Sequence, residues 1–238
     1  MLVRSWNLFH GNASPPRRDA YLEEMVRLAT ADGPDVLLLQ EVPVWALARL
    51  GTWSGMTAAG DVARRARLPS PVARAVTAVH PGLFRSLFTG QANAILLARG
   101  LAAVDRSVLV LNPRGWIGVG ASERRICQIA RVQAPGRTLL LGHLHATNLS
   151  TIAEAQVLRA AEHVIELARP GEPVVLAGDF NVTPRLEHLG FSGAEGGIDH
   201  ILVRGAKASP LRIWPDERRR RAGILLSDHA PVELDLTL

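Results

Sequence analysis

Six short segments place a carboxylate, an amide or an imidazole inside or at the end of an apolar run. Asn7 closes SWN, Glu41 closes LLLQE, His143 closes LLLGH, and Asp179 with Asn181 closes VVLAGDFN. Asp199 and His200 interrupt GIDHIL, while Asp228 and His229 interrupt LLSDHAPVE. Burying an ionised group costs several kcal/mol unless it pairs or binds a cation. A shared metal and phosphate site would relieve that cost for all of these groups together. Hydrolysis of a phosphodiester needs such a set. Glu41 and Asp228 suit a hard cation, with Asn7 as a neutral helper. Asp179, with Asn181 beside it, can take a proton from water. His229 and His143 can donate to oxygens that gain charge, and Asp199 can hold His229 in its proper tautomer.

Taken singly, each motif has an ordinary explanation as a turn former, a helix cap or a satisfied histidine. Together and in this order they resemble the endonuclease/exonuclease/phosphatase superfamily, the group of deoxyribonuclease I-like phosphoesterases. The resemblance runs from Asn7 to Glu233, and GDFN with SDHxP is its specific part. It implies that Asn7 contacts the metal site and phosphate, that Glu41 is the principal metal ligand, and that Asp228 is the closing one. It implies a phosphate-binding His at His143, the water-activating pair Asp179 and Asn181, and a catalytic His229 oriented by Asp199. Asn93 and Arg125 match positions that look structural. Phe9 stands where abasic-site endonucleases place a second carboxylate, and His200 stands where a Tyr or Arg is frequent; His200 lines the pocket or fills space.

These groups need strands to carry them. Apolar runs recur at Leu2 to Phe9, Val36 to Val42, Ala94 to Arg99, Ser107 to Asn112, Arg125 to Val132, Thr138 to Ala146, Val174 to Val182, Gly197 to Val203 and Ile224 to Leu238. Several are continuous rather than alternating, the mark of strands covered on both faces. Helical spacing predicts a helix from Arg17 to Thr30 behind Pro15 and Pro16. A second follows a Thr151 to Glu154 capping box and stops at Pro170 and Gly171. Proline-broken Thr52 to Gly90 reads as loops and short helices. The expected fold is α/β (α+β), a four-layer sandwich of two mixed β-sheets packed face to face with helices outside, in a single domain over residues 1–238. The family fold is the same.

The 238 residues are 47% apolar, enough for a buried core. Cys127 is the lone cysteine, which excludes an internal disulfide and a thiolate cluster. The start of the chain lacks signal-peptide order and no run is long enough to span a bilayer, so a cytoplasmic monomer without stable membrane association is expected. The net charge of +5 is almost wholly arginine, with Lys207 the one lysine; arginine holds phosphate bidentately, but such a bias also follows codon composition. Arg218 to Arg221 either overhangs the site, with Arg218 and Arg219 holding substrate phosphates, or is a solvated loop. Asn148 either reaches phosphate or forms an Asx turn. Arg64, Arg65, Arg67 and Arg74 read as exposed surface. His10, His80, His145, His163 and His188 read as structural or surface residues. The sequence thus points to a Mg²⁺- or Mn²⁺-dependent phosphodiesterase acting on nucleic acid, DNA first. The alternatives are hydrolysis of a phosphorylated small molecule or phospholipid head group, and a non-catalytic binding module.

Overall fold

The computed structural model describes residues 1–17, 19–79, 88–112, 124–193 and 197–238. His80 lies outside them. Two sheets pack face to face. The first has the order β11 (Lys207–Ala208), β15 (Val232–Thr237), β1 (Leu2–Asn7), β3 (Val36–Val42), β5 (Gln91–Leu97) and β4 (Thr57–Arg64), and β12 (Arg212–Ile213) also pairs with β15. The second runs β10 (Asp199–Arg204), β9 (Val174–Asp179), β8 (Arg137–His145), β7 (Ile126–Ala134) and β6 (Ala102–Val110). Each is mixed, with one parallel pair, β1 to β3 in the first and β8 to β9 in the second. A third, small sheet has the order β13 (Arg220–Arg221), β14 (Ile224–Leu226) and β2 (Ala13–Ser14).

Strand alternation sorts the side chains into layers. Val36 and Leu38 point inward with Val3, Ile95, Leu141, Val175 and Ile201, making the core between the sheets. Leu37 and Leu39 point outward, where α1 (Leu22–Thr30) and α2 (Leu50–Ser54) cover them with Met25, Val26, Leu50 and Trp53. On the far side, α4 (Ser150–Leu167) lays Val157, Ala160, Ala161 and Val164 on Leu140, Leu144 and Leu176. These are the four layers the apolar runs imply. A third helix, α3 (Ser70–Val79), lies in the segment read as loops and short helices.

Three expected boundaries move. Arg17 and Asp19 to Tyr21 lie outside the helix, which starts at Leu22, and Asn12 Oδ1 accepts from the backbone N–H groups of Ala13 and Arg17. No Thr151 capping box forms: Leu149 is the N-cap residue, without a side-chain hydrogen bond, and the buried Gln156 reaches back to the N–H of Thr147 instead. The C-terminal run is two strands, β14 and β15, with the SDH segment looped between them.

Candidate active site

Along the inward face, the residues change character toward one end of the sandwich. Leu139 and Leu141 on β8 are followed by His143 and then His145, while Val175 and Ala177 on β9 are followed by Asp179. The apolar tier gives way to neutral polar groups and then to ionisable ones. Strand register fixes the last tier: His145 lies opposite Asp179 across the parallel pair, and Asp199 lies opposite Asp179 across the antiparallel one.

Asp179 is 1% exposed and held from two sides. Asn7 Nδ2 donates to its Oδ2 at 2.9 Å, and the backbone N–H of Asn181 donates to its Oδ1 at 3.0 Å. Asn181 in turn donates to the carbonyl of Ala146. His229 Nδ1 stands 2.7 Å from Asp199 Oδ2, and its Nε2 stands 3.8 Å from Asp179 Oδ2, beyond hydrogen-bond reach. The loop carrying Asp228 and His229 is bolted down. Ser227 Oγ donates to the carbonyl of Asn7, its N–H donates to the carbonyl of Asn12, and Trp6 Nε1 donates to the carbonyl of His229. Asp228 itself is exposed, and its charge acts on both Glu41 and His229.

Glu41 arrives by a different device. Plain alternation after Leu39 would send it to the outer face, but β3 shifts register between Leu39 and Val42 and Glu41 takes a left-handed backbone, φ 54°. Its carboxylate then meets His10 Nε2 at 3.2 Å and His145 Nε2 at 3.8 Å. Left-handed residues crowd this region: Phe9, His10, Asn181 and Ser227 share that conformation, each costing about 1–3 kcal/mol. Backbone strain of this kind collects where side chains must be aimed.

The electrostatics match the convergence. Burial, with the nearby Asp179 and Asp228 adding to it against Arg125 and His229, raises the Glu41 carboxyl to about 7. Burial and the Asp199 charge raise Asp179 to about 6. Burial opposes the charged form of His229, yet the bond and charge of Asp199 prevail and lift it to about 10. Such groups suit a hard divalent cation. Asp179, Asp199 and His229 each offer a ligand atom, all within 4.8 Å of one another, and among the described residues the buried Asp199 Oδ1 has no hydrogen-bond partner.

Asn7, Glu41, Asp179, Asn181, Asp199, Asp228 and His229 therefore share one site. His143 does not reach it. It is fully buried one step down β8, its Nε2 accepting from Gln40 at 2.6 Å and its Nδ1 donating to Gln128 at 2.9 Å. Burial pushes its pKa down to about 3, which keeps it neutral. His145 is the β8 imidazole that reaches the site, 3.4 Å from Asp179, with Gln91 and Arg125 on its ring nitrogens. The sequence signal for it is the same strand face as His143, two residues on. His10 carried no such signal. His200 fills space, its Nε2 donating to the carbonyls of Val182 and Gly197.

The arginine loop also differs from expectation. Arg218 stacks 3.5 Å from the centre of Trp214 and pairs with Asp32 at 2.6 Å. Arg219 is 5% exposed and turns inward, donating to the carbonyls of Leu226, Ser227 and His229. It braces the loop that carries Asp228 and His229. Asn148 is exposed at the turn into α4.

No curated protein sequence matches the chain. Among solved structures, a conserved protein of unknown function from Enterococcus faecalis superposes with a TM-score of 0.76 at 16% identity, covering 100% of this chain and 99% of that one. A mannosyl-6-phosphatase from Bacteroides thetaiotaomicron gives 0.69 at 18%, covering 100% of both chains. Truncated TDP2 from Caenorhabditis elegans gives 0.69 at 17%, covering 100% of this chain and 97% of that one. At these identities the likeness is one of fold. The family model of the Endonuclease/Exonuclease/phosphatase family matches residues 5–229, a span that holds every site residue named above, and the chain belongs to that family of phosphoester hydrolases.

Proposed function

We propose that the protein is a divalent-metal-dependent phosphodiester hydrolase acting on nucleic acid, with DNA as the first substrate to test. The observation that carries the reading is the Asp179 and His229 pair: a carboxylate held on both oxygens faces an imidazole held by Asp199. Glu41 and Asp228, with Asn7, would hold Mg²⁺ or Mn²⁺, which when bound polarises a phosphoryl oxygen. Asp179 takes the proton from the attacking water, its orientation kept by Asn7 and Asn181. His229, charged near neutral pH, donates from Nε2 to a phosphoryl oxygen as negative charge grows there. His145, neutral because burial and the Arg125 charge hold its pKa well below the usual range, steadies the carboxylates between which it stands.

A feature of the first sheet supports a polymeric substrate. Arg64 lies in register with Gln91, whose amide meets His145. Exposed Arg65 and Arg67 thus leave β4 at the site end of the sandwich, where a phosphate backbone would pass. The test is a panel with Mg²⁺ or Mn²⁺ and EDTA controls: plasmid, abasic duplex, RNA, bis-p-nitrophenyl phosphate and inositol phosphates. Nicking of plasmid is expected, and turnover of monoesters alone would make the protein a phosphatase. Asp179→Ala and His229→Ala should each lower kcat about 10²–10⁴-fold with unchanged circular dichroism. Wild-type turnover by either variant would remove the role given to it.

A further inference from the structure

We propose that His10 is a metal ligand of this site, acting through Nε2 alongside Glu41, and that this imidazole turns the cation preference from Mg²⁺ toward Mn²⁺ and Co²⁺. The inference rests on the reading of Glu41 as a metal ligand and adds a residue and a selectivity to it.

The chain goes to some length to bring this ring in. After β1, three consecutive residues are left-handed: Phe9 at φ 47°, His10 at 51° and Gly11 at 78°. Glycine is required at the third, since a Cβ there would stand 2.3 Å from Leu22 Cγ. The turn starts from the site itself, with the N–H of Phe9 donating to Asn7 Oδ1 at 2.9 Å. His10 ends only 9% exposed, with Nε2 at 3.2 Å from Glu41 Oε2, and Glu41 is itself left-handed. Two residues in unfavourable backbone conformations thus meet side chain to side chain. The separation suits a shared ion: two ligand atoms each about 2.1 Å from a cation, at right angles, lie about 3 Å apart.

Donor chemistry sets the preference. Mg²⁺ keeps oxygen ligands and water, whereas imidazole suits later first-row cations, whose affinity for nitrogen rises from Mn²⁺ to Co²⁺. Phe9 offers no carboxylate on this turn, so His10 is the donor the turn supplies. His145 Nε2, 3.8 Å from the other Glu41 oxygen, is the competing source of nitrogen.

The experiment titrates metal-free protein with Mn²⁺, Co²⁺ and Mg²⁺ by calorimetry and records nitrogen modulation in pulsed electron paramagnetic resonance of bound Mn²⁺. Wild type should bind Mn²⁺ at least about tenfold tighter than Mg²⁺, with imidazole nitrogen coupling. His10→Asn keeps a residue that accepts the left-handed backbone; it should lose that coupling and most of the preference. His10→Asp, with oxygen in place of nitrogen, should abolish the coupling and narrow the preference for Mn²⁺ and Co²⁺ over Mg²⁺. Bound Mn²⁺ without nitrogen coupling in wild type, or coupling unchanged in His10→Asn, overturns the role of His10 and leaves the Glu41 reading standing. No heat with any cation overturns both.

Discussion

At the residue scale, the two histidines of GHLH separate a structural role from a functional one. His143 and His145 point to the same face of β8, but they differ by one tier of depth. His143 sits among neutral partners, Gln40 and Gln128, and a chain of bonds runs on from Gln40 to Ser5 and from Gln128 to Asp61. His145 sits between the carboxylates. His145→Ala should therefore lower kcat about 10²–10³-fold, and it should also cost about 2–4 kcal/mol of stability because the buried Gln91 and Arg125 lose a partner. His143→Leu should keep kcat within about threefold while losing about 2–4 kcal/mol of stability, because two buried amides lose a partner. Steady-state kinetics with urea unfolding checks both, and equal kcat losses would reject the division. A strand period of two specifies the face but not the depth, which is why GHL pointed to His143. Asp179 was readable because it follows Ala177, the last inward apolar residue of its strand, whereas Asp199 opens β10 one inward step before Ile201 and His229 was legible only through its SDHAP motif in the loop before β15.

At the element scale, close approach of β8 and β9 sets the spacing of the ionisable tier. Gly178 of β9, in register with Leu144 of β8, has φ 136°, and a Cβ there would stand 1.9 Å from the carbonyl oxygen of Leu144. Gly178→Ala must push the two strands apart where His145 faces Asp179, at a cost of about 3 kcal/mol or more. Urea unfolding should show a lower midpoint with unchanged slope, and kcat should fall because Asp179 moves; a variant as stable as wild type would mean the strands yield there. Of the elements, β3 was legible to the residue because Val36 to Leu39 is a continuous apolar run and Val42 closes it two residues on. β4 was not, because Thr57–Arg64 is rich in Ala and Gly and pairs only at the sheet edge, where backbone bonds to β5 define it. The bulge that aims Glu41 leaves no mark in composition either; its motif was readable, its geometry was not.

At the scale of the whole molecule, the inner faces of β8 and β9 form a gradient from apolar to ionisable side chains, and buried titratable groups couple stability to pH. His143 has its pKa depressed from 6.5 to about 3 by burial. As pH falls below 6.5 the unfolded chain takes up a proton that the folded chain refuses, so the stability present above that pH is lost progressively toward 3. Glu41 and Asp179 act with the opposite sign, because their folded pKa values are raised to about 7 and 6 and protonation favours the fold. Comparing wild type with His143→Leu cancels those two, since both chains carry them. The stability gap between the two chains should narrow by up to about 1.4 kcal/mol per pH unit as pH falls from 6 to 4. Urea unfolding in EDTA at pH 7, 6, 5 and 4 measures the gap without metal. A gap constant with pH would mean that His143 carries its proton inside the fold, and the neutral tier between the apolar core and the site would have to be redrawn.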